Sequence, residues 1–343
     1  MLDHAKSFFD GTFFPYLKDN NIQHLVQLGD LVDRRKFINF NTARRLREDF
    51  LSPLEQNNIK THILCGNHDV SFRNTNELNA LDELLGGKYK NIHTYISATT
   101  IDIDGFPFLL LPWITEDNHE DAMFNIYNTN AQVCLGHLEI NGFEMHRGTV
   151  CHTGMDVSIL EKFDLVISGH FHHRSRSKNI LYTGSFMEFT WSDFGDKKGF
   201  YVYDTDTREI EFIENPITTH TRYVYNDGPH TDLYTLLTYD VKPEEFKNKF
   251  VKIIVKEKNN NIWLDQVCEK IDQAGPLSLQ VIDETALELD IGDDNVIDES
   301  ESTLDILKKY AEKITSGTEK NKALESYIIS LYNEAVETQK GLA

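Results

Sequence analysis

The chain has 343 residues, 40% of them apolar and 26% charged, a balance that excludes disorder and collagen-like repeats and leaves room for a large core with smaller additions. No run approaches the ~20 apolar residues of a membrane helix, and Met1 to Lys6 has no basic stretch leading into an apolar one, so neither an anchor nor a secretory leader is expected. The formal charge of -21 speaks against a surface that binds nucleic acid everywhere by neutralising phosphate.

The charge is unevenly spread. Nine acidic side chains lie between Asp283 and Glu301, while Arg34, Arg35, Lys36, Arg44, Arg45 and Arg47 form a local basic cluster that reads equally as a solvated helix face. The four cysteines, Cys65, Cys134, Cys151 and Cys268, are scattered without a C-x-x-C pair. That argues against a disulfide framework or thiolate zinc site and for a reducing cytoplasm.

Leu2, Ala5, Phe8, Phe9, Phe13, Tyr16 and Leu17 recur at helical spacing, which predicts an amphipathic opening helix whose boundaries Gly11 and Pro15 leave open. A short strand ending at Leu25 to Leu28, a helix around Thr42 to Gln56 and a strand at Thr61 to Cys65 follow. This alternation predicts right-handed crossovers and a mainly parallel layer flanked by helices. From Ile92 to Leu111 the short alternating segments, broken by Gly105 and Pro107, predict meander strands. Brief apolar runs recur at Ala131 to Leu135, Asp164 to Ser168 and Ile180 to Thr183, and Gly199 to Asp204 with Glu209 to Ile213 reads as a hairpin. After Pro216 the character changes. Phe250 to Val255, Trp263 to Ala274 and Leu277 to Ile282 predict a small βαβ module. An acidic linker follows, then two amphipathic helices at Leu304 to Ile314 and Ala323 to Val336. The expected division is 1–215, 216–282, 283–302 and 303–343.

Four motifs share one context, an apolar strand running into a tight turn: Gly29-Asp30-Leu31-Val32-Asp33, Gly66-Asn67-His68-Asp69, Gly136-His137 and Gly169-His170-Phe171-His172. The carboxyl ends of parallel strands converge on the functional crevice, so polar groups from four such turns can meet there. Asp, Asn and His offer the oxygen and imidazole donors that suit Mn, Fe or Zn, and a glycine before each lets the backbone bend. Three polar side chains directly after Ile63-Leu64-Cys65 are costly to place unless they are used. Each motif alone is weak; the ordered set is strong.

This set resembles the calcineurin-like metallophosphoesterase superfamily. Its wording resembles the nuclease subunit of the SbcCD type, especially that of T-even-like phages, at Gln27-Leu28-Gly29-Asp30 with Asp33, Gly66-Asn67-His68-Asp69, Leu111-Pro112-Trp113, Gly136 to Phe143 and Ser168 to His172. The resemblance implies an α/β (α+β) sandwich of mixed sheets flanked by helices, with the βαβ segment as a capping module. It further implies two divalent ions, manganese with magnesium as the alternative, bridged by Asp30. Asn67, His137 and His170 would complete one ion and His172 would serve the other. His68 would sit at the scissile phosphate as proton donor or charge stabiliser with Asp69 orienting it, and Asp33 would support the centre without being a ligand.

The implied activity is DNA hydrolysis, exonucleolytic or endonucleolytic, in recombination, repair and replication. The implied partners are DNA, a coiled-coil ABC-type ATPase gripped by the C-terminal helices, and a second copy of the chain, with no membrane; a phage-encoded protein would work in the host cytoplasm. The family opens on a strand ending in Asp-x-His, which supplies two more ligands. Here Asp3-His4 has the wrong spacing and lies in a helical pattern, so the first strand is expected to be missing, the coding sequence to start upstream of Met1, and the chain as it stands to be weakly active. The rival readings are an esterase for phosphoproteins or small nucleotides and a silent scaffold. Among other residues, Tyr182 and Trp191 read as core or groove lining, His173 as solvated or a DNA contact, and Lys197 and Lys198 as a solvated turn or a phosphate contact.

Overall fold

The aromatic spacing of the first nineteen residues produces a helical rod in the computed structural model, which describes residues 1–286. The rod comprises Leu2–Phe8, a wider π turn at Phe9–Phe13 and Phe14–Asp19. Pro15 falls in the first turn of the last piece, where its missing N–H costs little, and the π turn absorbs the register change ahead of it. Phe8, Phe13 and Leu17 are buried along one face. The acidic segment beyond residue 286 and the two expected C-terminal helices lie outside the described residues.

The strands are β1 His24–Gln27, β2 Lys60–Leu64, β3 Ile92–Tyr95, β4 Thr99–Ile103, β5 Phe106–Leu111, β6 Val133–Gly136, β7 Glu144–His146, β8 Thr149–Val150, β9 Leu165–Ser168, β10 Ser175–Ser177 and β11 Ile180–Tyr182. Two sheets carry the body. One is parallel with the order β1-β2-β3, and the other is mixed with the order β10-β11-β9-β6-β5-β4. The expected meander is only half present. β4 and β5 form the antiparallel hairpin, but β3 leaves it to pair in parallel with β2, the helix Ala80–Leu85 lying in the crossover that two parallel strands require.

Side-chain alternation explains the layering. Along β5, Phe108 and Leu110 enter the core between the sheets while Leu109 and Leu111 enter the core on the outer face. β6 repeats this with Val133 and Leu135 inward and Cys134 outward, and β9 with Leu165 and Ile167 inward and Val166 outward. A strand buried on both faces must read as a continuous apolar run, and these do. Helix His119–Asn128 covers the outer face of the mixed sheet through Ile126. On the other side the N-terminal rod and the helical run Phe40–Leu46, Arg47–Leu51 and Ser52–Gln56 cover the β1-β2-β3 sheet, against Ile63 and Cys65. The result is a sandwich of two sheets between two helical layers. The chain opens on a helix, and β1 is an edge strand of its sheet.

The hairpin at β12 Gly199–Tyr203 and β13 Ile210–Glu214 forms as expected. The segment after it builds a separate parallel sheet, β14 His220–Asn226, β15 Phe250–Glu257 and β16 Ser278–Asp283, with helix Asn261–Gln273 crossing between the last two. It has its own core of Tyr225, Phe246, Val251, Ile253, Val255, Val267 and Ile271. β14 is a third strand that the apolar pattern alone did not reveal, since His220, Thr221, Arg222 and Asn226 interrupt the run. Among the described residues no helix is long and apolar enough to cross a membrane.

Phe8 is 1% exposed and stacks on Phe186 at 5.6 Å. Phe8→Ala is expected to cost about 3–5 kcal/mol in urea unfolding; a loss below about 1 kcal/mol would mean that the N-terminal rod is not part of the cooperative core.

Candidate metal centre

Four turns at the carboxyl ends of β1, β2, β6 and β9 bring Asp30, Asn67, His137 and His170 together. His137 is the hub. Its Nδ1 lies 2.7 Å from the Leu28 carbonyl, which only accepts, so the proton is on Nδ1 and the lone pair of the neutral ring is on Nε2. That Nε2 lies 2.9 Å from Asn67 Oδ1, 3.2 Å from Asp30 Oδ2 and 3.2 Å from His170 Nδ1. Asn67 Oδ1 also lies 3.0 Å from His170 Nδ1. His137 and Asn67 are buried, and Asp30 keeps 24% of its side chain exposed.

The backbone at the site is unusual at two of these positions. Asp30 has φ +56° and His170 φ +80°, left-handed conformations that cost a non-glycine residue on the order of 1–3 kcal/mol and persist where the surroundings impose them. The glycines do more than bend the chain. Gly29 has φ +93°, but Gly66 is present because a Cβ there would collide with the backbone nitrogen and carboxylate of Asp30, and Gly169 because a Cβ would meet the Leu28 carbonyl. Close approach of the loops is the main reason for glycine at those two positions.

Supporting contacts fix the remaining groups. Asp30 Oδ1 accepts the His68 N–H at 2.8 Å. Asp69, fully buried, accepts the N–H of Gly66 at 2.8 Å and of Val32 at 3.1 Å, which ties the turn after β2 to the turn after β1. The family resemblance implied that Asp69 orients His68. Instead the His68 ring, at Nδ1, meets the Asp33 carbonyl at 2.7 Å, and Asp69 holds backbone because it is aimed inward. The Trp113 ring packs 5.2 Å from His170 and 6.0 Å from His137, a wall that the Leu-Pro-Trp motif carried without disclosing its use.

His172 is placed apart from the cluster. Among the described residues, the His, Cys, Asp and Glu groups whose donor atoms lie within 4.8 Å of one another are Asp30, His137 and His170. His172 Nδ1 faces Asp193 Oδ2 at 3.6 Å instead. Lys198 is not on a solvated turn. It is 3% exposed, with Nζ 2.7 Å from Asp193 Oδ1 and 2.7 Å from the His172 carbonyl. Lys197 is exposed and pairs with Glu214. His173 is tied to Asp196 at 2.8 Å. Tyr182 is core, its hydroxyl donating to the Leu138 carbonyl at 2.8 Å, and Trp191 packs on His220 beside Lys252.

Electrostatics follow this geometry. Burial works against the Asp30 charge, but His137 and then His68 outweigh it and hold the carboxyl well below its ordinary range. Burial likewise opposes charge on His137, yet Asp30 raises its pKa above that of a free imidazole. Burial and then His137 push His170 down to about 3. Burial and the Asp30 charge lift Asp69 to about 6.

The calcineurin-like phosphoesterase family model matches residues 8–174, and exonuclease subunit 1 of Enterobacteria phage T4 is 33% identical over 324 residues, covering 94% of this chain and 90% of that protein. The chain belongs to the calcineurin-like phosphoesterase family. The SbcD subunit of the SbcCD nuclease of Staphylococcus epidermidis is 26% identical over 184 residues, 43% of this phosphoesterase and 46% of the relative. A solved archaeal phosphodiesterase has a TM-score of 0.29 at 14% identity, covering 58% of this chain and 87% of its own, too little overlap to inform the site.

The family implies divalent metal, and the donor set fits one. The Nε2 lone pair of neutral His137, the Asn67 and Asp30 oxygens and the neutral His170 ring put electron-rich atoms against one another at hydrogen-bond distance, an arrangement that only a proton or a cation relieves. The His137–Leu28 bond is the kind of outer support that fixes a coordinating imidazole.

Two outcomes follow for a phosphoesterase built this way. Gly66→Ala is expected to displace Asp30, lowering divalent-cation affinity by about tenfold or more and stability by about 1–3 kcal/mol; isothermal calorimetry showing wild-type affinity would refute the close-approach argument. A cation must also displace the proton that His137 retains to higher pH than a free imidazole. Affinity should therefore rise with pH, the rise extending above the range in which a free imidazole titrates, with about one proton released per ion; calorimetry in two buffers of different ionisation heat checks this, and a flat profile contradicts it.

Proposed function

We propose that the chain is a metal-dependent DNA nuclease, the hydrolytic subunit of an SbcCD-like complex whose other subunit is an ABC-type ATPase. The observation that carries the reading is the meeting of four donor atoms from four strand ends at one point. The DNA substrate rests on the likeness to a phage exonuclease subunit across nearly the whole chain, with the SbcCD relative as weaker support. Manganese is the preferred ion, since the oxygen and imidazole mixture suits it better than an all-oxygen magnesium site.

When bound, divalent ions would polarise the phosphodiester and make hydroxide available near neutral pH. In this reading Asp30, Asn67, His137 and His170 hold one ion. Asp30 is shared with a second, to which His172 contributes with Asp193 and Lys198 steadying its ring and backbone. His68 acts on the phosphate. With Nδ1 donating to the Asp33 carbonyl, its Nε2 is the atom left to act, and as an imidazolium the ring gives the Nε2 proton to the departing oxygen or offsets charge there. Asp69 positions the two turns. The C-terminal segments, outside the described residues, would dock the ATPase, and recombination, repair or replication of DNA would be the setting.

His68→Ala is expected to lower Mn(II)-dependent cleavage of linear DNA by about 10²–10⁴-fold while cation binding stays near wild type, whereas Asp30→Asn loses both. Hydrolysis of small phosphate esters with no cleavage of single-stranded or duplex DNA would overturn the nuclease assignment, and loss of cation binding in the His68 variant would overturn its role.

A further inference from the structure

A series of aromatic contacts runs from the core to the edge of the candidate centre. Phe8 and Phe9 stack on Phe186 at 5.6 and 5.4 Å, and Phe186 meets Phe189 edge to face at 5.5 Å. Phe189 ends the series. It is 40% exposed, and its ring lies 5.8 Å from the ring of His172, whose side chain is itself 42% exposed. Two open rings are therefore neighbours at the site. A phenyl ring left this open gives up part of the stabilisation that burial would supply, and Phe186 already packs on the core behind it.

The exposure is not that of a loose loop. The N–H groups of Phe189 and Thr190 each donate to Asp193 Oδ2 at 3.0 Å, and the other oxygen of this buried carboxylate is held by the buried Lys198. Glu188, also buried, accepts the N–H of Gly195 at 3.1 Å, of Thr219 at 2.8 Å and of His220 at 3.1 Å. Two carboxylates thus fix the backbone around Phe189 while its ring stands out from it. Asp193 Oδ2 also faces His172 Nδ1 at 3.6 Å, so one group sets the places of both rings. An aromatic side chain held in this way can contact a flat partner with little further loss of freedom.

We infer that Phe189 is a specificity-determining residue, its ring stacking on the nucleobase next to the reacting phosphate. The base of a nucleotide hangs one sugar away from its phosphate, and the Phe189 ring stands beside that of His172, which the nuclease reading places at the cations that receive the phosphate. A phenyl ring has no polar group with which to tell one base from another, so the contact tolerates any sequence. It separates nucleotide esters from phosphate esters that carry no base, a distinction that the cation donors themselves do not make. The inference deepens the nuclease reading and rests on it for the place of the phosphate.

The test compares two diesters with the same leaving group, p-nitrophenyl thymidylate and methyl p-nitrophenyl phosphate, on the full chain with Mn(II). In each, water adds to phosphorus and p-nitrophenolate departs, so the two differ only in carrying a nucleoside or a methyl group. Phe189→Ala is expected to lower the ratio of kcat/KM for the thymidine ester to that for the methyl ester by about tenfold, chiefly through KM. Phe189→Trp should keep the ratio at or above that of wild type. Phe189→Leu, which retains an apolar wall for His172 and Phe186, should behave as Phe189→Ala does. Calorimetry supplies a readout without turnover: the affinity for thymidylate relative to that for methyl phosphate should fall by the same factor in the alanine and leucine variants. A ratio that does not move in these variants, or one that leucine restores, would overturn the proposal, the second result leaving Phe189 as packing for His172. The nuclease reading is judged apart from this. Wild type with a preference for the thymidine ester that depends on Phe189, yet no cleavage of DNA, defeats the nuclease assignment and leaves the stacking contact standing; cleavage of DNA by wild type with the ratio unmoved in the variants does the reverse.

Discussion

The hydrogen bond from His137 Nδ1 to the Leu28 carbonyl joins the two sheets at the point where the chemistry is expected. Leu28 follows β1, and His137 follows β6 of the opposing sheet. The bond settles the tautomer, and the tautomer decides that Nε2 faces Asp30, Asn67 and His170 as a lone pair. Much of the local architecture is arranged around that closeness. Gly66 and Gly169 let the loops touch backbone to backbone, and Asp69 holds the turns after β1 and β2 in register through two N–H groups. Moving any of these displaces a donor atom.

Such proximity is unfavourable in isolation and needs a rigid frame. Asp30 and His170 adopt left-handed backbone conformations that an isolated turn would relax. Strands packed on both faces supply the stiffness, since Leu109, Leu110, Leu111, Cys134 and Val166 are fully buried and close-packed interiors resist small shifts. Strain at His170 is thus supported by ordinary apolar packing at Val166 in the strand before it and at Cys134 and Leu109 to Leu111 in the neighbouring strands.

Much of this was legible in the sequence because it is written in local patterns. Doubly buried strands read as unbroken apolar runs, and four polar turns after such runs pointed to one crevice. Partnership between strands was harder to read. Ile92 to Tyr95 has the alternation of a strand, yet nothing in it says that β2 and not β4 is its neighbour; the crossover helix decides. The task that the resemblance implied for Asp69 differs from the one it has, because a motif does not tell which way a side chain turns, and this one turns inward to the Val32 and Gly66 N–H groups. Lys198 was read as a surface residue because lysine usually is one, and the buried Asp193 with Asp196 and the His172 carbonyl beside it makes its position tolerable. β14 escaped because polar residues, Thr221, Arg222 and Asn226 among them, interrupt its apolar ones.

The link between the sheets has a bearing on upkeep as well as on reactivity. An ion seated among Asp30, Asn67, His137 and His170 would bind the folded chain and not the unfolded one, and at a thousandfold excess over its dissociation constant this adds about 4 kcal/mol to the folding equilibrium. A cell short of that ion would then hold a protein that is idle and also more readily opened and degraded, so that ion supply would govern its abundance, visible as a melting temperature that climbs with added cation.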